Sequence, residues 1–339
     1  MKKIAFLTFT LLLFFSCKNE GKTTSETNIK IEKVVKYPSD VIPFMDKWKI
    51  LLGDGTHVDN LIKYQKEDFF YVDNDGTTDW IVYKTPNSGI TSKTSKNTRT
   101  ELSEKSNWIP ETGGKLTGVL KVQHVSTTGD ATKPSSYSVV IGQIHSGEGH
   151  ENEPLKIFYK KFPGHIKGSV FWNYEINTKG DNSGRFDFST SVWGYDFSVI
   201  GTSPTTYPDE PKDGIALGEE FAYEVNVYKG VMYLTFTSKG HETVTFTKSL
   251  IKSDFAKTED IPQQVLDMYS SRRELSSERE NAYAGEINYF KQGAYNQANG
   301  QSTKSETYGG DIEKQYQNGS YAEVWFKYAT IGVGTLPHK

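Results

Sequence analysis

Cysteine is almost missing from this chain. Its 339 residues hold one, Cys17, so no intramolecular disulfide can form and burial of a core has to stabilise any domain. Long apolar runs are missing as well. The one stretch of that kind, Ile4 to Phe15, is too short to cross a bilayer as a helix. Charge of one sign is also lacking: a formal net charge of −3 gives no general reason to expect a nucleic-acid partner. An anionic ligand would have to be drawn in by a local cluster. No internal repeat and no long amphipathic helix can be read, which leaves short strands as the building unit. What is abundant fits that view. With 30 Gly, 20 Tyr, 19 Phe, 35% apolar and 24% charged residues, the composition is that of a turn-rich globular protein leaning towards β structure. The length admits two domains, but all-β sandwiches also reach this size as one unit.

Lys2 and Lys3 precede the apolar run, which ends in Leu13-Phe14-Phe15-Ser16-Cys17. This is a targeting segment, to be left out of the fold. It resembles a bacterial lipoprotein signal cut before Cys17, leaving that residue as a lipidated N-terminus. The alternative is an ordinary secretory signal with an incidental cysteine. The expected organisation is a lipobox signal over residues 1–17, a polar flexible tether over 18–36 and a single domain over 37–339. An outer-membrane lipoprotein of a Gram-negative bacterium follows, facing the periplasm or the cell surface. Its lipid is then its only membrane contact, and a monomer is expected.

Pro38-Ser39-Asp40 opens a short helix with Ser39 or Asp40 as cap. Phe69–Val72 and Trp80–Tyr83 flank Asp73-Asn74-Asp75-Gly76, a hairpin signal that outweighs a calcium loop because the closing glutamate is lacking. Further strands are predicted at Leu116–Val125, Tyr137–His145, Leu155–Tyr159, Ser169–Ile176 and Phe186–Val192. Glu220–Val227 and Val231–Thr237 form a hairpin, Thr243–Thr247 follows, and Tyr321–Ile331 closes the chain with strict alternation. Pro262–Tyr269 reads as a short helix. The expected fold is all-β, an antiparallel jelly-roll sandwich with a concave groove and a few short helices.

Three segments present polar groups at period two. Arg99, Glu101 and Ser103 share one face of a strand, opposite Leu102. Val139, Ile141, Gln143 and His145 share another. In Tyr289–Gln297 the face with Tyr289, Lys291, Gly293, Tyr295 and Gln297 carries a cation, two phenols, an amide and a glycine leaving room near the backbone. That suits an anionic, hydroxyl-bearing chain better than a core.

Arg99-Thr-Glu-Leu, Gln143-Ile-His and Tyr289-Phe-Lys-Gln-Gly-Ala-Tyr-Asn-Gln, in this order, resemble the three signature motifs of alginate lyases of polysaccharide lyase family seven. The resemblance spans roughly residues 37 to 330. It implies a jelly roll that binds polyuronate, alginate or its oligomers, and cleaves it by β-elimination, with no metal or organic cofactor. A base takes the C5 proton, the C4–O4 bond breaks, and an unsaturated sugar remains. Arg99 and Gln143, helped by His145, would stabilise the charge developing on the substrate carboxylate. Tyr295 would serve as acid to O4, and as base too for mannuronate. His145 would be the base for guluronate, being largely neutral at mildly alkaline pH. Lys291 would ease ionisation of the phenol and bind a neighbouring carboxylate, and Glu101 would hold Arg99. Tyr289, Gln297 and His165, the last in the basic segment 160–167, complete the expected substrate contacts. Ser103 departs from the family, which often has arginine there. Isoleucine between Gln143 and His145 is associated in the family with guluronate.

The stretches 146–154, 160–167 and 195–218 are long for joins within a sandwich. Exolytic trimming is expected if they wall off one end of the groove, and internal cleavage if they lie aside. The rival readings are a non-catalytic polyuronate-binding module and a jelly-roll glycosidase. Glu101 and Glu104 do not serve the latter, since they face opposite sides of a strand.

Overall fold

Alternation of apolar and polar residues builds the strands. In Gly114–His124, Leu116 and Leu120 are buried while Lys115, Thr117 and Val119 are half-buried on the other face. The computed structural model describes residues 35–91, 95–129, 133–147, 152–178, 185–197, 207–269, 277–298 and 310–337. The predicted signal with Cys17, and all of the tether up to residue 34, lie outside them.

The first strands are β1 (Trp48–Leu51), β2 (His57–Val58), β3 (Phe70–Asn74), β4 (Asp79–Pro86), β5 (Arg99–Glu104) and β6 (Gly114–His124). Next come β7 (Ser138–Ser146), β8 (Leu155–Lys160), β9 (Lys167–Glu175), β10 (Asp187–Trp193) and β11 (Ile215–Ala216). The chain closes with β12 (Glu220–Tyr228), β13 (Val231–Ser238), β14 (Val244–Ser249), β15 (Asn288–Asn296) and β16 (Tyr321–Gly332). Short helices are α1 (Pro38–Val41), α2 (Gln263–Tyr269) and α3 (Ile312–Asn318).

Two sheets result. The larger runs β10-β9-β8-β7-β15-β5-β1-β2, with β11 attached to β9, and the smaller runs β14-β13-β12-β6-β16-β4-β3. All pairings between these strands are antiparallel. Their facing sides enclose one core, to which the larger sheet gives Leu102, Ile144, Ile157 and Phe290 and the smaller Tyr83, Leu120 and Phe326. Tyr223 ties the layers together: its hydroxyl donates to the Ile141 carbonyl at 3.2 Å and accepts from Gln292 Nε2 at 2.7 Å. This is the expected antiparallel jelly-roll sandwich.

Some local expectations change. The cap of α1 is Tyr37, because Pro38 takes the first helical position, and the Asp40 carboxylate accepts from the backbone of Lys36 and Tyr37. Asp75 is used within the fold, accepting from Trp80 Nε1 at 2.7 Å and Lys121 Nζ at 2.8 Å, as a turn residue does. Alternation in β16 is not strict: the register shifts between Phe326 and Tyr328, leaving Tyr328 exposed.

The correction that matters most lies in β7. Val140 pairs with Phe158 but Gly142 pairs with Ile157, so Ile141 is an extra residue in this strand. Such a bulge reverses the parity of everything beyond it. Val139 and Ile141 therefore join the core, and do not share the face of Gln143 and His145. Gly293 is likewise not a gap for ligand. Its φ of +145° suits glycine, and a Cβ there would meet the Thr100 carbonyl oxygen of β5 at 2.6 Å. The close approach is that of the neighbouring strand.

Candidate active site

Three central strands of the larger sheet, β7-β15-β5, bring the three segments side by side. Lys291 lies opposite Ser103 on one flank and Gln143 on the other, Gly293 opposite Glu101, Tyr295 opposite Arg99, and Tyr289 opposite His145. Leu102, Ile144, Phe290 and Ala294 of the same strands belong to the core, so the polar residues between them face outward.

Glu101 sits at the centre and is 1% exposed. One carboxylate oxygen accepts from Gln143 Nε2. The other accepts from Arg99 Nη1 at 3.2 Å and Lys291 Nζ at 2.7 Å. Burial pushes the Glu101 carboxyl up, but Lys291 and Arg99 outweigh it and hold the group below the usual carboxylate range. Burial also lowers Lys291, opposed by Glu101. With Glu101 ionised, one anion faces two cations. The cluster thus carries one positive charge in excess, which is the local attraction for an anion that the net charge of the chain does not supply.

Arg99 also covers Tyr295, its guanidinium carbon 3.7 Å from the ring centroid. Ser95 joins the two, accepting from Arg99 Nη2 at 3.2 Å and lying 3.0 Å from the Tyr295 hydroxyl. The cation at the phenol is thus Arg99, while Lys291 is held by Glu101. His145 stacks on Tyr289 with ring centroids 5.1 Å apart. Its Nδ1 is 2.7 Å from the Ser146 carbonyl oxygen. A carbonyl only accepts, so Nδ1 carries the hydrogen and Nε2 keeps its lone pair. Burial lowers the pKa of His145 from 6.5, outweighing Glu153, whose carboxylate lies 3.8 Å from Nε2.

The remaining expected residues divide. Gln297 lies just past the end of β15, accepting from Asn97 at 3.4 Å and donating to the Tyr295 carbonyl at 3.4 Å. His165 goes elsewhere: its ring stands edge-on to Phe162 at 5.7 Å, within an aromatic pack that includes Tyr137 and Tyr207. Its backbone N–H donates to the Phe162 carbonyl at 3.2 Å and its own carbonyl accepts from Lys161 Nζ at 2.8 Å, so these contacts lie within 160–167 and not at the Glu101 cluster. Glu104 turns away from Glu101 to accept from the Phe290 N–H at 3.0 Å, and burial pushes it up to about 7.

Sequence reasoning missed Ser95, which sits in a featureless polar run, and the charged group on β8–β10. There Lys156 lies 3.0 to 3.5 Å from Glu153, Glu175 and Asp187, while Arg185 pairs with Glu175 at 3.0 Å. It also missed an aromatic cover. Phe197, after β10, folds back edge-on over Phe158 at 5.0 Å and Phe171 at 4.7 Å, and Tyr295 packs against this cluster.

Residues 42–333 match the alginate lyase family. The chain belongs to the alginate lyases of polysaccharide lyase family seven. It is 30% identical over 270 residues to an alginate lyase of Klebsiella pneumoniae, covering 69% of this chain and 73% of that one. It is 68% identical to an exolytic family seven alginate lyase of Zobellia galactanivorans, with a TM-score of 0.87, covering 90% of this chain and 100% of that structure. The solved alginate lyase of Klebsiella pneumoniae shares the fold at 23% identity and a TM-score of 0.62, covering 88% and 99%. The chain is therefore a polysaccharide lyase acting on alginate.

The burial of His145 has a measurable consequence. In an NMR titration of the histidine rings, His145 should protonate at a pH below 6.5. A midpoint at or above 6.5 would contradict a burial-dominated, neutral imidazole.

Proposed function

We propose that this alginate lyase trims uronate units from chain ends by β-elimination on the outward face of β7-β15-β5. The observation that carries the reading is the Glu101 cluster, whose surplus positive charge lies beside the phenol of Tyr295. A substrate carboxylate placed against Arg99 and Gln143 has its developing second charge stabilised by groups already fixed in place. His145 Nε2, or Tyr295 for the epimer with C5–H and O4 on the same side, takes the C5 proton. The electron pair forms the C4=C5 bond, the C4–O4 bond breaks, and Tyr295 protonates the departing oxygen. Glu101 holds the cations in register, and Lys291 contributes charge through it. Tyr289 and Gln297 flank the sugar at the two ends of β15.

Exolytic action is supported by Phe197, which closes the outward face over β8 and β9, and by the exolytic relative at 68% identity. The lipobox ending in Cys17 supports an outer-membrane lipoprotein held by lipid on a polar tether, with the domain beginning near residue 37.

On a defined oligouronate the enzyme should raise ultraviolet absorbance from unsaturated product, with monomer appearing first, and Tyr295→Phe should lose nearly all of it while retaining affinity. Turnover close to wild type in Tyr295→Phe would exclude that residue as acid, and early mixed oligomers would exclude trimming. In cells, Cys17→Ser should move the enzyme from the membrane fraction to the soluble one. Unchanged fractionation would rule out the lipid anchor.

A further inference from the structure

The pairings across the larger sheet align one polar residue from each of six strands: Ser103, Lys291, Gln143, Lys156, Asn173 and Ser189. The row crosses the strands at right angles, from the Glu101 cluster towards the side covered by Phe197. Asn173 is the unexplained member. It lies on β9 between Trp172 and Tyr174, both in the core, so its amide faces outward like Gln143. It is nonetheless 1% exposed, and its Oδ1 has no hydrogen-bond partner among the described residues. Burying an amide oxygen without a partner is unfavourable, so such a group calls for a reason. Three others on this face also lack a hydrogen bond among the described residues: Arg99 Nε and Gln143 Oε1, which belong to the site already described, and Asp187 Oδ1, which has the Lys156 ammonium 3.5 Å away.

The surroundings define what Asn173 can take. Glu175, on its own strand, and Asp187, on β10, face the same way, and both are bound to Lys156. Burial, with Glu153 and Asp187 beside it, pushes Glu175 up to about 8, so near neutral pH Glu153 and Asp187 balance Lys156 and Arg185 and no cation is left over. A substrate carboxylate finds no unpaired cation on that ground, whereas a neutral amide can both accept from and donate to hydroxyls. Asn173 stands two strands from Gln143, roughly 10 Å at the usual strand spacing. That distance reaches a neighbouring sugar and not the ring being cleaved.

We propose that Asn173 forms a subsite that hydrogen-bonds the hydroxyl edge of a uronate unit next to the one undergoing elimination, on the side closed by Phe197. The adjoining cations are already paired with Glu153, Glu175 and Asp187, so the hydroxyl edge of that unit, and not its carboxylate, faces the sheet. The subsite rests on the lyase reading above and adds to it the means by which the closed side of the groove holds a short chain end.

Asn173→Leu keeps the volume and removes the polar atoms. On saturated oligouronates of defined length its KM should rise about tenfold, the loss of one or two hydrogen bonds, with kcat within about twofold of wild type. Its thermal midpoint should stay level or rise, since a buried polar group without a partner is gone. Asn173→Ala carries the same expectation for KM should the leucine variant fail to fold. An unchanged KM in a folded variant, or a loss confined to thermal stability, would overturn the subsite. Wild type run alongside keeps the two ideas apart. Unsaturated product from wild type with an unchanged KM in the variant removes the subsite alone; no such product from wild type removes the lyase reading itself.

Discussion

A carboxylate placed out of water beside two cations is the constraint around which this molecule is arranged. Glu101 is 1% exposed and binds Arg99, Lys291 and Gln143 at once. Any one of these charges buried alone would be strongly unfavourable; together they satisfy each other and leave a single positive charge. Each ligand of Glu101 comes from a different part of the chain, residues 99, 143 and 291. The sheet must therefore hold β7, β15 and β5 adjacent and in one register for the cluster to exist at all.

That register depends on irregularities. The extra residue Ile141 lets β7 serve the core at Val139 and the site at Gln143. The pairing of β15 with β7 also shifts, between Gln292 and Tyr295. Tyr295 thereby meets Val140 and the aromatic cluster under Phe197, while Lys291 stays opposite Gln143. In a regular β7, Val140 and Gln143, three residues apart, would lie on opposite faces, so Val140 of the aromatic cluster and Gln143 of the polar row could not both face outward.

Much of this was legible in the chain. Alternation at Arg99–Glu104 and Tyr289–Tyr295 places the cations and the phenol on one face, and the three motifs name the family. Short strands punctuated by turns give the sandwich. The bulge was not legible, because Val139, Val140 and Ile141 are all apolar and the pattern carries no mark of where parity changes. A strand pattern gives faces but not the reach of a long side chain, so the pairing of Lys291 with Glu101, and not with the phenol, carries no mark in the sequence. The basic neighbours of His165 suggest a groove residue, yet the aromatic residues around it decide its place. Asn173 had no signal, being a single amide between core aromatics.

The central claim is that Glu101 acts by holding two cations in place, and Glu101→Gln tests it most directly. Chemical denaturation should show a loss of about 3–5 kcal/mol, as when one partner of a buried ion pair is removed. Adding Lys291→Met should restore much of that stability without restoring turnover. A Glu101→Gln enzyme as stable and as active as wild type would contradict the account.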